Sequence, residues 1–143
     1  MAFSASLQII ANYQFPLIAA LYGKSMFVIE ESRLTLEKAL DELCQNEWAV
    51  SDWRDKAIEE LGSAEAFDSI VPVLALALEQ TDDYAFDSCC GLALQFAGIA
   101  QTTQQPEGLI AMLKQLKIHE KNLTQGSRQV YEIASWFRVT NVI

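Results

Sequence analysis

Apolar residues recur along this chain at intervals of three and four, and no segment alternates with period two for long enough to predict a strand. Residues 4–22 are apolar or uncharged, with Pro16 suited to the first turn of a second helix that stops at Gly23, so they predict one bent or broken helix. The run 25–45 places Leu36, Ala39, Leu40, Leu43 and Cys44 on one helical face and Glu37, Asp41 and Glu42 on the other. Beyond Asn46, Ser51 or Asp52 is the expected cap of a helix with Trp53, Ala57, Ile58 and Leu61 as its stripe and Gly62 as its stop. Asp68 or Ser69 then caps a helix to residue 80, with Pro72 tolerated in its first turn and Ile70, Val71, Leu74, Ala77 and Leu78 turned inward. Asp82 and Asp83 open the next, which carries Ala85, Cys89, Leu92, Phe96 and Ile99, while Gly91, Ala93, Ala97 and Gly98 permit close packing against a neighbour. Gln105 and Pro106 start a helix with Leu109, Ile110, Leu113 and Leu116, and a last one over 127–139 turns Val130, Ala134 and Phe137 inward. About seven helices are expected.

Length limits the organisation to one domain, since 143 residues are too few for two independent cores. The expected plan is N-terminal helices over 1–46, two helical hairpins over 51–117 and a capping helix over 127–143. Two units can be superposed: Ser51-Asp52-Trp53 precedes Ala57, Ile58 and Leu61 as Asp82-Asp83-Tyr84 precedes Ser88, Cys89 and Leu92, an offset of 31 residues. Each continues through a polar linker into a second helix opened near a proline, Pro72 or Pro106. Over about residues 51–117 this pattern resembles the HEAT-like repeat superfamily. The resemblance implies an all-α fold of stacked antiparallel hairpins, in which one hairpin cannot bury its apolar face without the next. A plain irregular helical bundle is the alternative, because the second linker is longer than the first.

The net charge of −9 changes the picture through its distribution. Residues 30–87 hold 16 of the 19 acidic residues and 4 of the 10 lysines and arginines. Such a field repels phosphate backbones and anionic lipid, which disfavours direct nucleic-acid or membrane binding and favours a basic protein partner. The first charged side chain is Lys24, and Gln8, Asn12, Gln14 and Pro16 interrupt the early apolar run, so neither a signal peptide nor a membrane span is expected. Three cysteines without a C-x-x-C pair are poor material for a disulfide framework, and the vicinal Cys89 and Cys90 read as helix positions in a reducing compartment. A cytoplasmic location is the expectation.

Catalytic chemistry has little to stand on. His119 is the single histidine and falls in an expected polar linker over 118–125; no metal-ligand spacing, G-x-S-x-G or phosphate-cradling glycine motif occurs. Paired acids such as Glu59-Glu60 and Asp82-Asp83 point about 100° apart on a helix, not toward one reacting atom. The expectation is a non-enzyme with no cofactor and no metal; acids converging from separate helices would be needed to overturn it.

Recognition remains. Trp48, Asp52, Asp55 and Glu59, with Asp82, Asp83, Tyr84 and Asp87 at the turn and start of the next helix, are the candidate partner-binding residues, aromatic anchors among acids. Trp53 and Phe67 are expected in the core. The Trp-led helix from Asp52 to Leu61, the hairpin at residues 68–80, the Asp82-Asp83 turn and the closing Trp136-Phe137-Arg138 resemble the immunity proteins of bacterial toxin systems, including those paired with contact-dependent toxins. That resemblance implies an acidic surface filling the basic substrate groove of a cognate toxin such as a nuclease. The alternative is a structural or adaptor module that forms a homodimer or joins a larger assembly through Phe3, Leu7, Ile10, Phe15, Leu17 and Leu21.

Overall fold

The computed structural model describes residues 27–59, 61–123 and 128–140, which form six helices and, among the described residues, no strand. They are α1 (Ile29–Glu42), α2 (Ala49–Ile58), α3 (Ser63–Leu78), α4 (Asp83–Ala100), α5 (Leu109–Glu120) and α6 (Gln129–Trp136). The fold is all-α. The expected helix over 4–22, and with it the dimerisation segment, lies outside the described residues.

The central pair is α3 and α4, which make by far the most extensive helix contact. α1 packs on α2 and α3, α2 also on α4, α5 on α3 and α6, and α6 on α4. No comparable contact joins α1 or α2 to α5 or α6. Phe27 meets Ser69 while Arg33 meets Glu79, so α1 runs in the direction of α3. Gln129 lies against Gly91 while the Trp136 indole bonds the Thr102 carbonyl, so α6 runs in the direction of α4. Flanked on three sides, α4 buries Ala85, Phe86, Cys89, Cys90, Leu92, Ala93, Phe96 and Ala97, more than one stripe could hold.

These contacts correct the expected pairing. Residues 51–61 were to pair with 68–80, and 82–99 with 106–117, yet neither α2 with α3 nor α4 with α5 is among the substantial contacts. The starts of α1 and α3, like those of α2 and α4, are 34 residues apart, not 31. The sequence superposition matched Trp53 with Tyr84 as aromatics, but Trp53 is a buried residue within α2 and Tyr84 is exposed in the first turn of α4.

Helix starts also differ, each for a local reason. In α2 the chain turns early because Asn46 Oδ1 accepts the Trp48 N–H at 3.1 Å, placing Trp48 at the N-cap and Asp52 in the first turn instead of at the cap. Gly62 is the N-cap of α3, not the stop of α2. Helix α3 begins at Ser63, so Pro72 stands in its interior, where the missing N–H frees the carbonyl of exposed Asp68 to water. Ser69, expected as a cap, is buried: its hydroxyl donates to the Glu65 carbonyl at 2.6 Å and accepts the Phe27 N–H at 2.9 Å. Pro106 precedes α5 by a turn that Gly108 closes with φ of 83°, a conformation that favours glycine. Asp82 caps α4 as expected, accepting the Ala85 N–H at 3.1 Å.

Arg33 binds Glu79 through two contacts of 2.6 and 2.7 Å, tying α1 to the end of α3. The guanidinium hydrogen bonds hold the Glu79 carboxyl below its ordinary range, so this pair contributes at neutral pH and is lost as the pH falls through that lowered value.

Candidate partner-binding surface

Four of the eight candidate residues lie along α2 and its two caps. Trp48, Asp52, Asp55 and Glu59 follow one another at spacings of four, three and four, the repeat of a single helical face, and all four are exposed. Trp48 keeps 63% of its surface in water, although its backbone is fixed by Asn46. Asp52 also benefits from the positive end of the α2 dipole. Trp53, one helical turn further on, is buried as expected and donates its indole N–H to Thr35 Oγ1 at 3.0 Å. Phe67 is half-buried.

The second group divides. Asp82 and Tyr84 are exposed at the start of α4, which packs beside α2. Asp83 and Asp87, expected to be free, are half-buried and engaged with neighbours, because α4 is enclosed from its first turn onward. Phe86, between Tyr84 and Asp87, is fully buried.

Arg54 of α2 is half-buried across the glycine step of α4: a Cβ on Gly91 would stand 3.3 Å from its Nη1. Its Nε is buried and finds no acceptor among the described residues. Sequence reasoning gave Arg54 no role, and only the small residue at position 91 hinted at a crossing side chain.

His119 was expected on the surface of a linker. It lies in the last turn of α5, where Nε2 stands 2.6 Å from the Gln80 carbonyl and the ring packs 5.5 Å from that of Phe86. A carbonyl can only accept, so Nε2 carries the proton, and the imidazole joins α5 to the turn between α3 and α4. A shallow cavity of about 540 Å³ between the ends of α4 and α6, lined by Gly98, Gln101, Thr102, Thr103 and Trp136, was not foreseen either.

The vicinal thiols are core groups. Burial, then Glu79, pushes Cys89 up to about 12, and burial, then Cys89, Asp87 and Glu120, raises Cys90 as well. Neither forms a thiolate at neutral pH. Cys44, expected on the inner face of α1, is exposed because the helix ends at Glu42 and the chain turns outward. Alkylation of the native protein at neutral pH is therefore expected to modify Cys44 alone, and all three cysteines after denaturation; peptide mass mapping that found Cys89 or Cys90 modified at a similar rate would contradict their burial.

Among the described residues no group of three or more His, Cys, Asp or Glu side chains is placed to hold a metal ion, and no helix is long and apolar enough to cross a membrane. No family model, curated protein or solved structure matches the chain.

Proposed function

We propose that this chain is a non-catalytic protein-binding module, an immunity or inhibitor protein that neutralises a basic toxin such as a nuclease by covering its substrate groove. The observation that carries this reading is the exposed line of Trp48, Asp52, Asp55 and Glu59 along α2, beside exposed Asp82 and Tyr84. Acids speed the approach of a basic partner, and an exposed tryptophan on a fixed backbone supplies area that slows its departure. The free thiols accord with a reducing, cytoplasmic setting.

The scaffold belongs to the same proposal. The six helices are read as three antiparallel hairpins, α1/α2, α3/α4 and α5/α6, stacked in a HEAT-like manner with α1, α3, α5 in one layer and α2, α4, α6 in the other. The helix contacts, the shared directions of α1 with α3 and of α4 with α6, and the 34-residue offset from α1 to α3 and from α2 to α4 support this arrangement; α5 and α6 begin 46 residues after α3 and α4.

Capture from the native cell lysate at low and high salt tests the function. One basic protein retained at low salt and released at high salt is the expected result; recovery of assembly subunits alone would replace inhibition by a scaffolding role. That second reading, a structural module that self-associates or joins a larger assembly, is favoured by the large apolar side chains exposed on the flanking hairpins, Leu34, Ile110 and Ile118.

A further inference from the structure

The two flanking hairpins carry opposite charge on their outward helices. Glu30, Leu34, Glu37 and Asp41 form an exposed stripe along α1, and Leu34 keeps 66% of its surface in water. Arg33 lies within electrostatic reach of Glu30 and Glu37, but its hydrogen bonds go to Glu79, and the stripe itself carries three acids and no base. Ile110, Lys114, Ile118 and Lys121 form an exposed stripe along α5 and its C-cap, with Ile110 exposed by 42% and Ile118 by 64%. The spacings are 4, 3, 4 on α1 and 4, 4, 3 on α5, so each stripe follows one helical face, with one apolar side chain among three acids on α1 and two apolar side chains alternating with two lysines on α5. Net charge differs accordingly: residues 29–59 hold nine acids and four bases, and residues 109–138 hold two acids and five lysines or arginines.

We infer that copies of this chain associate head to tail, with the α5/α6 face of one against the α1/α2 face of the next. The inference rests on the stacked arrangement proposed above, and it does not involve an outside partner. Neither exposed stripe is purely polar, so each leaves apolar side chains that a contact with another copy would remove from water. The join continues the internal pattern: α5 of one copy stands beside α1 of the next as α1 stands beside α3. Lys114 and Lys121 then meet the carboxylates of α1 while Leu34, Ile110 and Ile118 leave water. The two surfaces are different, so the contact is heterologous and grows into chains instead of closing as a two-fold dimer.

Light scattering on the purified chain tests this directly. The weight-average mass is expected to rise with concentration at low salt and to return to the monomer mass at about 0.5 M salt, where charges are screened within a few ångströms. Leu34→Asp removes one end of the contact and Ile118→Asp the other; both sites are exposed, so the fold tolerates the changes, and each variant alone is expected to lose association by about tenfold or more. Mixed together, the two variants restore one intact contact and form a heterodimer that grows no further. A wild-type protein monomeric at every concentration, association that survives both substitutions, or a mixture that stays monomeric would overturn the inference. None of these outcomes bears on binding through Trp48 and the α2 acids, which the lysate capture reads separately.

Discussion

Replacing Phe96 by alanine is expected to lower the free energy of unfolding by about 3–5 kcal/mol, the cost of deleting a large buried ring whose surroundings relax only in part. Phe96 is fully buried near the end of α4, and its ring meets that of Phe27 edge to face at a centroid distance of 5.9 Å. Phe27 cannot follow into the vacated space without cost, because its N–H is held by the buried Ser69 hydroxyl, which is itself committed to the Glu65 carbonyl. Out of a total of about 5–15 kcal/mol for a domain of this kind, such a loss takes a large share. Urea unfolding followed by circular dichroism measures it; the transition midpoint should fall while its slope stays the same. Ile118→Ala is the control, since a side chain 64% exposed is expected to change stability by no more than about 0.5 kcal/mol. A Phe96→Ala variant within 1 kcal/mol of the parent, on the order of the control, would mean that the Phe27 and Phe96 contact does not hold the N-terminal end of the core together.

Local physics made much of this legible. The amphipathic stripe of α1, the Asp82 cap and the inward residues of α4 follow from helical period and the chemistry of a carboxylate facing free amides. What sequence misplaced depends on contacts between distant residues. Pro72 argued for a helix start because a proline costs least in a first turn, but burial of Ala66, Ser69 and Ile70 outweighs that cost and carries α3 back to Ser63. Hairpin pairing was assigned by adjacency in sequence, whereas the long apolar faces of α3 and α4 select each other. His119 looked like a linker residue until the Gln80 carbonyl and the Phe86 ring, 39 and 33 residues away, gave it a place. For the candidate surface, residue type alone chose Trp48, Asp52, Asp55 and Glu59 as an aromatic among acids, and the helix then sets them along one face. Residue type could not find that Asp83 and Asp87 are half-buried, which requires α4 to have neighbours on several sides, nor that Arg54 lies over Gly91.

The proposed binding through the α2 line separates approach from retention in a way that binding kinetics can read. Against the basic protein retained at low salt, Trp48→Ala is expected to weaken binding by about 10- to 30-fold, the size of a single aromatic hot spot, almost wholly through faster dissociation. Its salt dependence should match the parent's, because no charge has changed. Asp52→Lys, Asp55→Lys and Glu59→Lys together should act on the other quantity, slowing association by about tenfold or more at low salt and flattening its salt dependence. Neither variant is expected to alter the fold, since all four side chains are exposed and the Asn46 contact that starts α2 uses the backbone of residue 48, not its indole. Surface plasmon resonance at two salt concentrations, with melting temperatures as a control, distinguishes the roles. Unchanged dissociation for Trp48→Ala would remove the indole from the contact, and unchanged association for the triple variant would remove the acids. If both failed, the acidic face of α2 would serve only solubility, and the partner would have to be sought against another part of the surface.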